Sequence, residues 1–95
     1  MPAVARLGDP IDCGDIICEG SGDVFAEGIP VTRVLEDYTC GHCFNPTQIA
    51  SGSSNVFVND KAIARVGDPI IDHICLSTTH GGSIAAGATN VYANS

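Results

Sequence analysis

The 95-residue chain is long enough for one domain, which we assign to residues 1–95. Four Lys and Arg residues against eleven Asp and Glu residues give a net charge of −7, which argues against nucleic acid and anionic membranes as binding partners. An aromatic content of 5% excludes a stacking platform for bases, whereas a hydrophobic content of 44% excludes a disordered acidic tail. Eleven Gly and five Pro residues disfavour a helical bundle.

The first residues of the chain carry no recognisable targeting signal. Residues 1–9 lack the basic start and the long apolar run of a signal peptide. No stretch approaches the roughly 20 apolar residues that are needed to cross a bilayer. We therefore expect synthesis in the cytoplasm, followed by any export through a different machine.

Two short motifs recur three times along the chain. The first runs from an Arg to an acidic residue, in Ala5-Arg6-Leu7-Gly8-Asp9, Thr32-Arg33-Val34-Leu35-Glu36 and Ala64-Arg65-Val66-Gly67-Asp68. The second runs from an Ile through a Gly to an aromatic residue, over residues 17–25, 49–57 and 84–92. Because both motifs keep one register, we predict a threefold internal repeat with units of approximately 3–31, 32–63 and 64–95.

Each repeat is predicted to consist of short β-strands joined by tight turns. Glu27-Gly28 and Asn59-Asp60 each separate two apolar runs, as the central residues of a two-residue hairpin turn do. No window of a dozen residues has helical spacing of its apolar positions. The predicted fold class is therefore all-β, with longer connecting segments at residues 10–16, 37–48 and 69–83.

The three arginines occupy the same position of the repeat, and a carboxylate follows each of them three residues later. An Arg–carboxylate fork can brace the end of a strand against the next loop. We favour this structural interpretation over a ligand site, and the predicted pairs are Arg6 with Asp9, Arg33 with Glu36 and Arg65 with Asp68.

The connecting segments contain all three histidines and every cysteine except Cys18. Five cysteines cannot form a closed set of disulfides, and in a reducing compartment Cys and His residues favour metal binding over crosslinks. Cys40-Gly41-His42-Cys43 has the spacing of a thiol–disulfide active site, but Pro46 disfavours the helix that such a site needs. We interpret Cys18 as a small buried apolar residue.

The repeated motifs resemble those of the PAAR-repeat family. The resemblance rests on Ala64-Arg65-Val66-Gly67-Asp68-Pro69, on His80-Gly81 with the following Ile84 to Gly87, and on the run from Ala5 to Cys13. It implies a small pseudo-threefold cone of β-strands that caps a trimeric β-helical spike, either VgrG-like or a phage central spike, with one copy per trimer. Such spikes belong to type VI secretion systems and contractile phage tails, where the tip contacts the target membrane transiently and carries effector cargo.

The resemblance also implies a structural zinc ion near the vertex, held by three His and one Cys. Carried onto this chain, the implied ligands are Cys13, His42, His73 and His80, with Cys40 as the rival for the fourth position.

No enzymatic activity is implied, and since no effector domain follows the last repeat we expect cargo to bind separately. We expect the wide face opposite the vertex to present apolar side chains to the spike, including Val56, Val58 and Val91. The alternatives are a free-standing zinc-stabilised cytoplasmic interaction module and a thiol–disulfide protein that uses Cys40 and Cys43.

Overall fold

A computed structural model describes residues 2–41, 46–75 and 78–93 of the chain. Within these ranges the regular structure is entirely β, which confirms the predicted fold class. Eight strands of two or three residues pair into four antiparallel ladders, β1 with β4, β2 with β3, β5 with β6 and β7 with β8. The strands are β1 Ile16–Ile17, β2 Phe25–Ala26, β3 Ile29–Pro30, β4 Thr39–Cys40, β5 Phe57–Val58, β6 Lys61–Ala62, β7 His73–Cys75 and β8 Thr78–His80.

Two of the ladders are the predicted hairpins. Glu27 and Gly28 link β2 to β3 with φ angles of 55° and 80°, and Asn59 and Asp60 link β5 to β6 with φ angles of 53° and 67°. Two successive positive φ angles match the twist of the flanking strands, so the turn residues fix the register of both hairpins.

The third unit pairs residues 2–4 with residues 91–93, which are far apart in the sequence. Ala3 bridges to Tyr92, the Val4 amide donates to the Val91 carbonyl at 2.9 Å, and the Ala93 amide donates to the Pro2 carbonyl at 3.1 Å. These contacts match the pairing inside the other two hairpins, where Phe25 and Phe57 occupy the position of Tyr92.

Three backbone hydrogen bonds close a ring at the centre of the molecule. The Ala5 amide donates to the Ala64 carbonyl at 2.9 Å, the Ala64 amide to the Thr32 carbonyl at 2.9 Å, and the Thr32 amide to the Ala5 carbonyl at 3.1 Å. Each residue directly precedes a repeated Arg, and all three are completely buried. The three repeats therefore meet around a pseudo-threefold axis.

The apolar core is divided between the two sides of this ring. One cluster packs the residues that enter and leave the connecting segments, namely Ala5, Ile11, Ile17, Val34, Ile49, Ala64, Ile70 and Ile84. The other cluster packs the hairpin side, with Val4, Ala26, Val31, Val58, Ile63, Ala88 and Ala93. Each repeated strand runs from its hairpin through a ring residue to its Arg, so the hairpins and the connecting segments lie at opposite ends.

Tight contact with the paired strand of the same unit explains the repeated glycine of the second motif. A Cβ atom at Gly20 would lie 2.8 Å from the Pro30 Cβ, and one at Gly87 would lie 2.5 Å from the Val4 carbonyl oxygen. These distances are too short for any side chain, so each repeat needs Gly where the adjacent strand crosses it.

The apolar residues exposed at the hairpin end differ in part from those expected. Val58 is buried at 5% exposure and Val56 packs partly buried against the same cluster, so the expectation for these two residues was wrong. Val91, the third expected residue, is exposed at 37%. The most exposed apolar side chains of the three units are Phe25, Phe57 and Tyr92, at 54%, 61% and 51%. Successive residues of a strand point to opposite faces, and the small or branched neighbour of each aromatic residue fills the core instead.

Among the residues that the structure describes, no helix is long and apolar enough to span a membrane.

Candidate metal centre

Three side chains with metal-binding donor atoms meet at the end of the molecule opposite the hairpins. One donor atom each from Cys13, Asp15 and His73 lies within 4.8 Å of the others. Asp15 and His73 are buried, at 1% and 7% exposure, and Cys13 is half-buried with a free thiol. Thiolate, carboxylate and imidazole are donors that Zn²⁺ takes in proteins, so this cluster fits a zinc-type ion.

The first connecting segment folds back on itself and so positions two of these donors. Pro10 bridges to Ile16, and the Ile11 amide donates to the Asp15 carbonyl at 2.8 Å. Gly14 closes the loop with a φ angle of 108°, in the region that favours glycine. Cys13 and Asp15 therefore stand on either side of one tight turn.

Asp15 is a member of the cluster that the sequence analysis missed. Its Oδ2 accepts a hydrogen bond from the Thr39 hydroxyl at 2.9 Å and lies 4.0 Å from the Nε2 atom of His73. The signal in the sequence is a carboxylate two residues from a candidate Cys ligand, across a Gly. A buried carboxylate beside a metal-binding histidine either binds the ion directly or orients the ring.

The third donor lies on a hairpin within the third connecting segment. Strand β7 pairs with β8 in a register that sets His73 directly opposite His80. The backbone thus brings two predicted ligands next to each other across one ladder. The description of His80 extends only to its backbone and His42 lies outside the described residues, so both assignments remain predictions.

Cys40, the rival fourth ligand, is engaged elsewhere. Cys40 forms a disulfide with Cys18, with the two Cα atoms 5.8 Å apart. A disulfide sulfur is not a thiolate ligand, so the structure corrects both the proposed ligand role of Cys40 and the interpretation of Cys18 as a simple apolar residue. The physical reason is the pairing of β1 with β4, which sets Cys40 opposite Ile16 and brings it beside Cys18. Cys43 lies outside the described residues.

Two carboxylates explain the glycines that follow His80. A Cβ atom at Gly81 would collide with the Asp72 carboxylate, and one at Gly82 would lie 2.7 Å from Oδ1 of Asp12. The same Asp12 oxygen accepts a hydrogen bond from the Ser83 amide at 3.0 Å. Asp12 therefore ties the third connecting segment to the first, beside the cluster of Cys13, Asp15 and His73.

The repeated arginines form the expected forks, with one change of partner. Arg6 pairs with Asp9 at 3.2 Å and Arg65 pairs with Asp68 at 2.8 Å, each through a guanidinium nitrogen. In all three forks the hydrogen bond that the guanidinium donates to the carboxylate raises the pKa of the arginine. Each Arg is therefore held as a charged brace at the end of its strand.

The second fork uses Asp37 and not Glu36, so that prediction was wrong. Arg33 Nη2 lies 2.7 Å from Asp37 Oδ1, while Glu36 is half exposed and lies 3.9 Å from the Lys61 ammonium. Leu35 takes the positive-φ position of the first and third motifs, with φ of 56°. Glu36 is then one inserted residue, which moves the fork carboxylate one position along the chain.

The first two arginines also reach the hairpin turns. Arg6 Nη1 donates to Glu27 at 3.0 Å, and Arg33 Nη1 donates to Asn59 at 3.3 Å. Each of these contacts lies within one repeat. Glu27 in turn accepts hydrogen bonds from the backbone and hydroxyl of Thr89. The Thr89 hydroxyl is the main cause of the lowered pKa of Glu27. The contacts between Glu27 and Thr89 therefore join the first repeat to the third.

A comparison with protein-family models matches residues 8–71 to a family described as the PAAR motif. The match covers two thirds of the chain, and it includes Cys13 and Asp15 but ends just before His73. No curated protein matches the chain.

Proposed function

This chain belongs to the PAAR-motif family, and we propose that it is the non-enzymatic, membrane-piercing tip of a trimeric β-helical spike. The spike is that of a contractile injection machine, of the phage-tail or the type VI secretion kind. In this role one copy of the chain sits on the distal end of one trimer, and the vertex with the metal-binding cluster points away from it.

The observation that carries this proposal is the ring formed by Ala5, Thr32 and Ala64. A single chain that presents three equivalent faces can match a threefold-symmetric partner without forming a trimer itself. The ring supports this match because it holds three near-identical hairpin units at one end of the molecule.

The exposed aromatic residues of the hairpin end support the same partner. Phe25, Phe57 and Tyr92 occupy equivalent positions in the three units and each is at least half exposed. Large aromatic side chains at an exposed surface are typical anchors of protein interfaces. We propose that each contacts one chain of the spike trimer.

The metal-binding cluster is proposed to hold one structural zinc ion. Cys13 and His73 would serve as ligands, His80 and His42 would complete the set, and Asp15 would bind the ion or orient His73. A bound ion of this kind crosslinks loops that a small core cannot hold by itself. The first and third connecting segments would then form one rigid point, as mechanical penetration requires.

The interface is tested by measuring binding to the trimeric spike with variants of the aromatic triad. Phe57→Glu and Tyr92→Glu are each expected to weaken binding by about 30-fold or more, the effect of removing an interface hot spot. Leu35→Glu is the matched control, because Leu35 is 52% exposed but lies on the other side of the ring. An equal loss of binding with Leu35→Glu would contradict the proposed face. Unchanged binding with all three variants would contradict the role of the aromatic residues.

A further inference from the structure

The disulfide and the carboxylate of the metal-binding cluster belong to the same two-stranded ladder. Asp15 directly precedes β1, and Cys18 directly follows it. Strand β4 supplies both partners, since the Thr39 hydroxyl donates a hydrogen bond to the Asp15 carboxylate and Cys40 forms the disulfide with Cys18. The thiol pair and the metal-binding carboxylate are therefore joined through the same short ladder.

This ladder is too short to hold its register strongly by itself. It contains two residue pairs, Ile16 with Cys40 and Ile17 with Thr39. Beyond them the Cys18 amide donates to the Tyr38 carbonyl at 2.9 Å, and the Tyr38 amide donates to the exposed Glu19 carboxylate at 3.1 Å. Isolated two-stranded pairs of this length are marginally stable in water. A covalent bond between the strands removes the open conformations in which Thr39 leaves the Asp15 carboxylate.

We propose that Cys18 and Cys40 form a redox-controlled clamp on the metal centre. With the two thiols reduced, the β1–β4 ladder opens and closes and the ion exchanges readily. With the disulfide formed, Asp15 is held beside Cys13 and His73 and the ion is retained. The inference rests on the proposed metal site, and it adds a control of that site by the thiol pair.

The chemistry of the clamp is an ordinary thiol–disulfide exchange. The thiolate of one cysteine attacks a sulfur of a small-molecule disulfide, whose S–S bond breaks to release one thiol. The second cysteine then displaces the remaining thiol from the mixed disulfide. The protein loses two electrons and two protons, and the oxidant takes them up as two thiols.

The position of Cys18 allows such an oxidant to reach it. Cys18 is half-buried and lines an open surface groove of about 430 Å³ together with Leu7, Glu19 and Pro30. Cys13 is free and belongs to the metal-binding cluster, so a bound ion would protect that thiol from the same exchange.

The clamp is tested by the rate at which zinc-loaded full-length protein releases zinc to an excess of a coloured chelator. One sample is oxidised with glutathione disulfide, and the other is reduced with a phosphine that carries no metal-binding thiol. Stoichiometric zinc binding is measured first in both states, because its absence would overturn the proposed metal site and not the clamp alone. We expect the oxidised protein to release zinc about tenfold more slowly, which is comparable to the effect of an outer-sphere partner on metal affinity.

Two single variants separate the clamp from other roles of the same cysteines. Cys18→Ser and Cys40→Ser each remove the crosslink, and both are expected to release zinc at the rate of the reduced wild-type protein and to ignore the oxidant. Equal release rates for oxidised and reduced wild-type protein would overturn the clamp. Much faster release from Cys40→Ser than from Cys18→Ser would also overturn it, because Cys40 would then act as a metal ligand.

Discussion

The amide of Ala5 donates a hydrogen bond to the carbonyl of Ala64, and this bond joins the first repeat to the third. Together with the equivalent bonds at Thr32, it closes a ring that joins all three repeats. The ring lies between two apolar clusters, so it couples the hairpin end to the end that carries the candidate metal site. Changes at the ring are therefore expected to affect the stability of the whole domain.

Added volume at the ring is predicted to destabilise the protein. Ala5→Val and Ala64→Val place two extra carbons where exposure is zero, and each is expected to lower the free energy of unfolding by about 1–3 kcal/mol. Denaturant unfolding measures this loss. The control is Ala86→Val on the exposed surface, which is expected to change stability by less than about 0.5 kcal/mol. If Ala5→Val and Ala64→Val lower the free energy of unfolding no more than Ala86→Val does, the close packing at the axis is contradicted.

Removal of the Thr32 hydroxyl is predicted to stabilise the protein. Among the described residues the buried Oγ1 of Thr32 has no hydrogen-bond partner, and a buried unsatisfied hydroxyl costs about 1–3 kcal/mol. Thr32→Val has nearly the same shape without that cost, so we expect the free energy of unfolding to rise by about 1 kcal/mol. Thr32→Ser keeps the hydroxyl and loses a methyl group, so it is the matched control and is expected to be destabilising. A destabilised Thr32→Val would show that the hydroxyl has a partner in solution.

The fork at the second repeat is predicted to depend on Asp37. Asp37→Asn leaves the largely buried Arg33 guanidinium without its carboxylate and is expected to cost about 3 kcal/mol of stability. Glu36→Gln alters a half-exposed side chain and is expected to cost less than about 1 kcal/mol. Thermal or denaturant unfolding of the two variants distinguishes the partners. A larger loss for Glu36→Gln would restore the pairing expected from the spacing of the motif.

Acid is predicted to loosen the contact between the first and third repeats. The folded-state pKa of Glu27 lies below its ordinary value of 4.5, chiefly because the Thr89 hydroxyl donates to the carboxylate. A lowered folded pKa stabilises the protein above the unfolded pKa, and this stabilisation is lost as the pH falls through the folded value. Below pH 4.5 we expect the melting temperature of Glu27→Gln to fall less steeply than that of the wild-type protein. Thr89→Ala is also expected to make this fall less steep. If the melting temperature of Glu27→Gln falls as steeply in acid as that of the wild-type protein, Glu27 is excluded as the source of the fall.

Zinc removal is predicted to destabilise the vertex. At a zinc concentration one hundred times the dissociation constant, the free energy of unfolding of the loaded protein is expected to exceed that of the chelated protein by about 3 kcal/mol. Cys13→Ser and His73→Gln are each expected to lose most of this difference, because each removes one donor from the cluster. Asp60→Asn, an exposed carboxylate at a hairpin turn, is the control and is expected to keep it. Calorimetry with and without zinc measures the difference, and identical melting of loaded and chelated wild-type protein would remove the structural role of the ion.

Features that depend on local chemistry could be predicted from the sequence. Glu27-Gly28 and Asn59-Asp60 specify their hairpins because the turn conformation resides in those residues themselves. The repeat of the arginines likewise located two of the three forks correctly. The prediction for the fork at Arg33 failed because a single inserted residue, Glu36, changes which carboxylate faces Arg33. The motif spacing that is visible in the sequence is not changed by this insertion.

Features that depend on pairing between distant segments could not be predicted. Asp15 joins Cys13 and His73 because β7 packs beside the first connecting segment, and no local pattern specifies that contact. The bond between Cys18 and Cys40 likewise follows from the register of β1 on β4, which the sequence alone leaves open.

The stoichiometry of the complex between this chain and the trimeric spike tests the central claim most directly. Native mass spectrometry of the purified complex is expected to give one copy of this chain for three spike chains, and the isolated chain is expected to be monomeric. Three copies per trimer, or a homotrimer of the isolated chain, would contradict the account, because a closed pseudo-threefold ring leaves no role for true threefold copies.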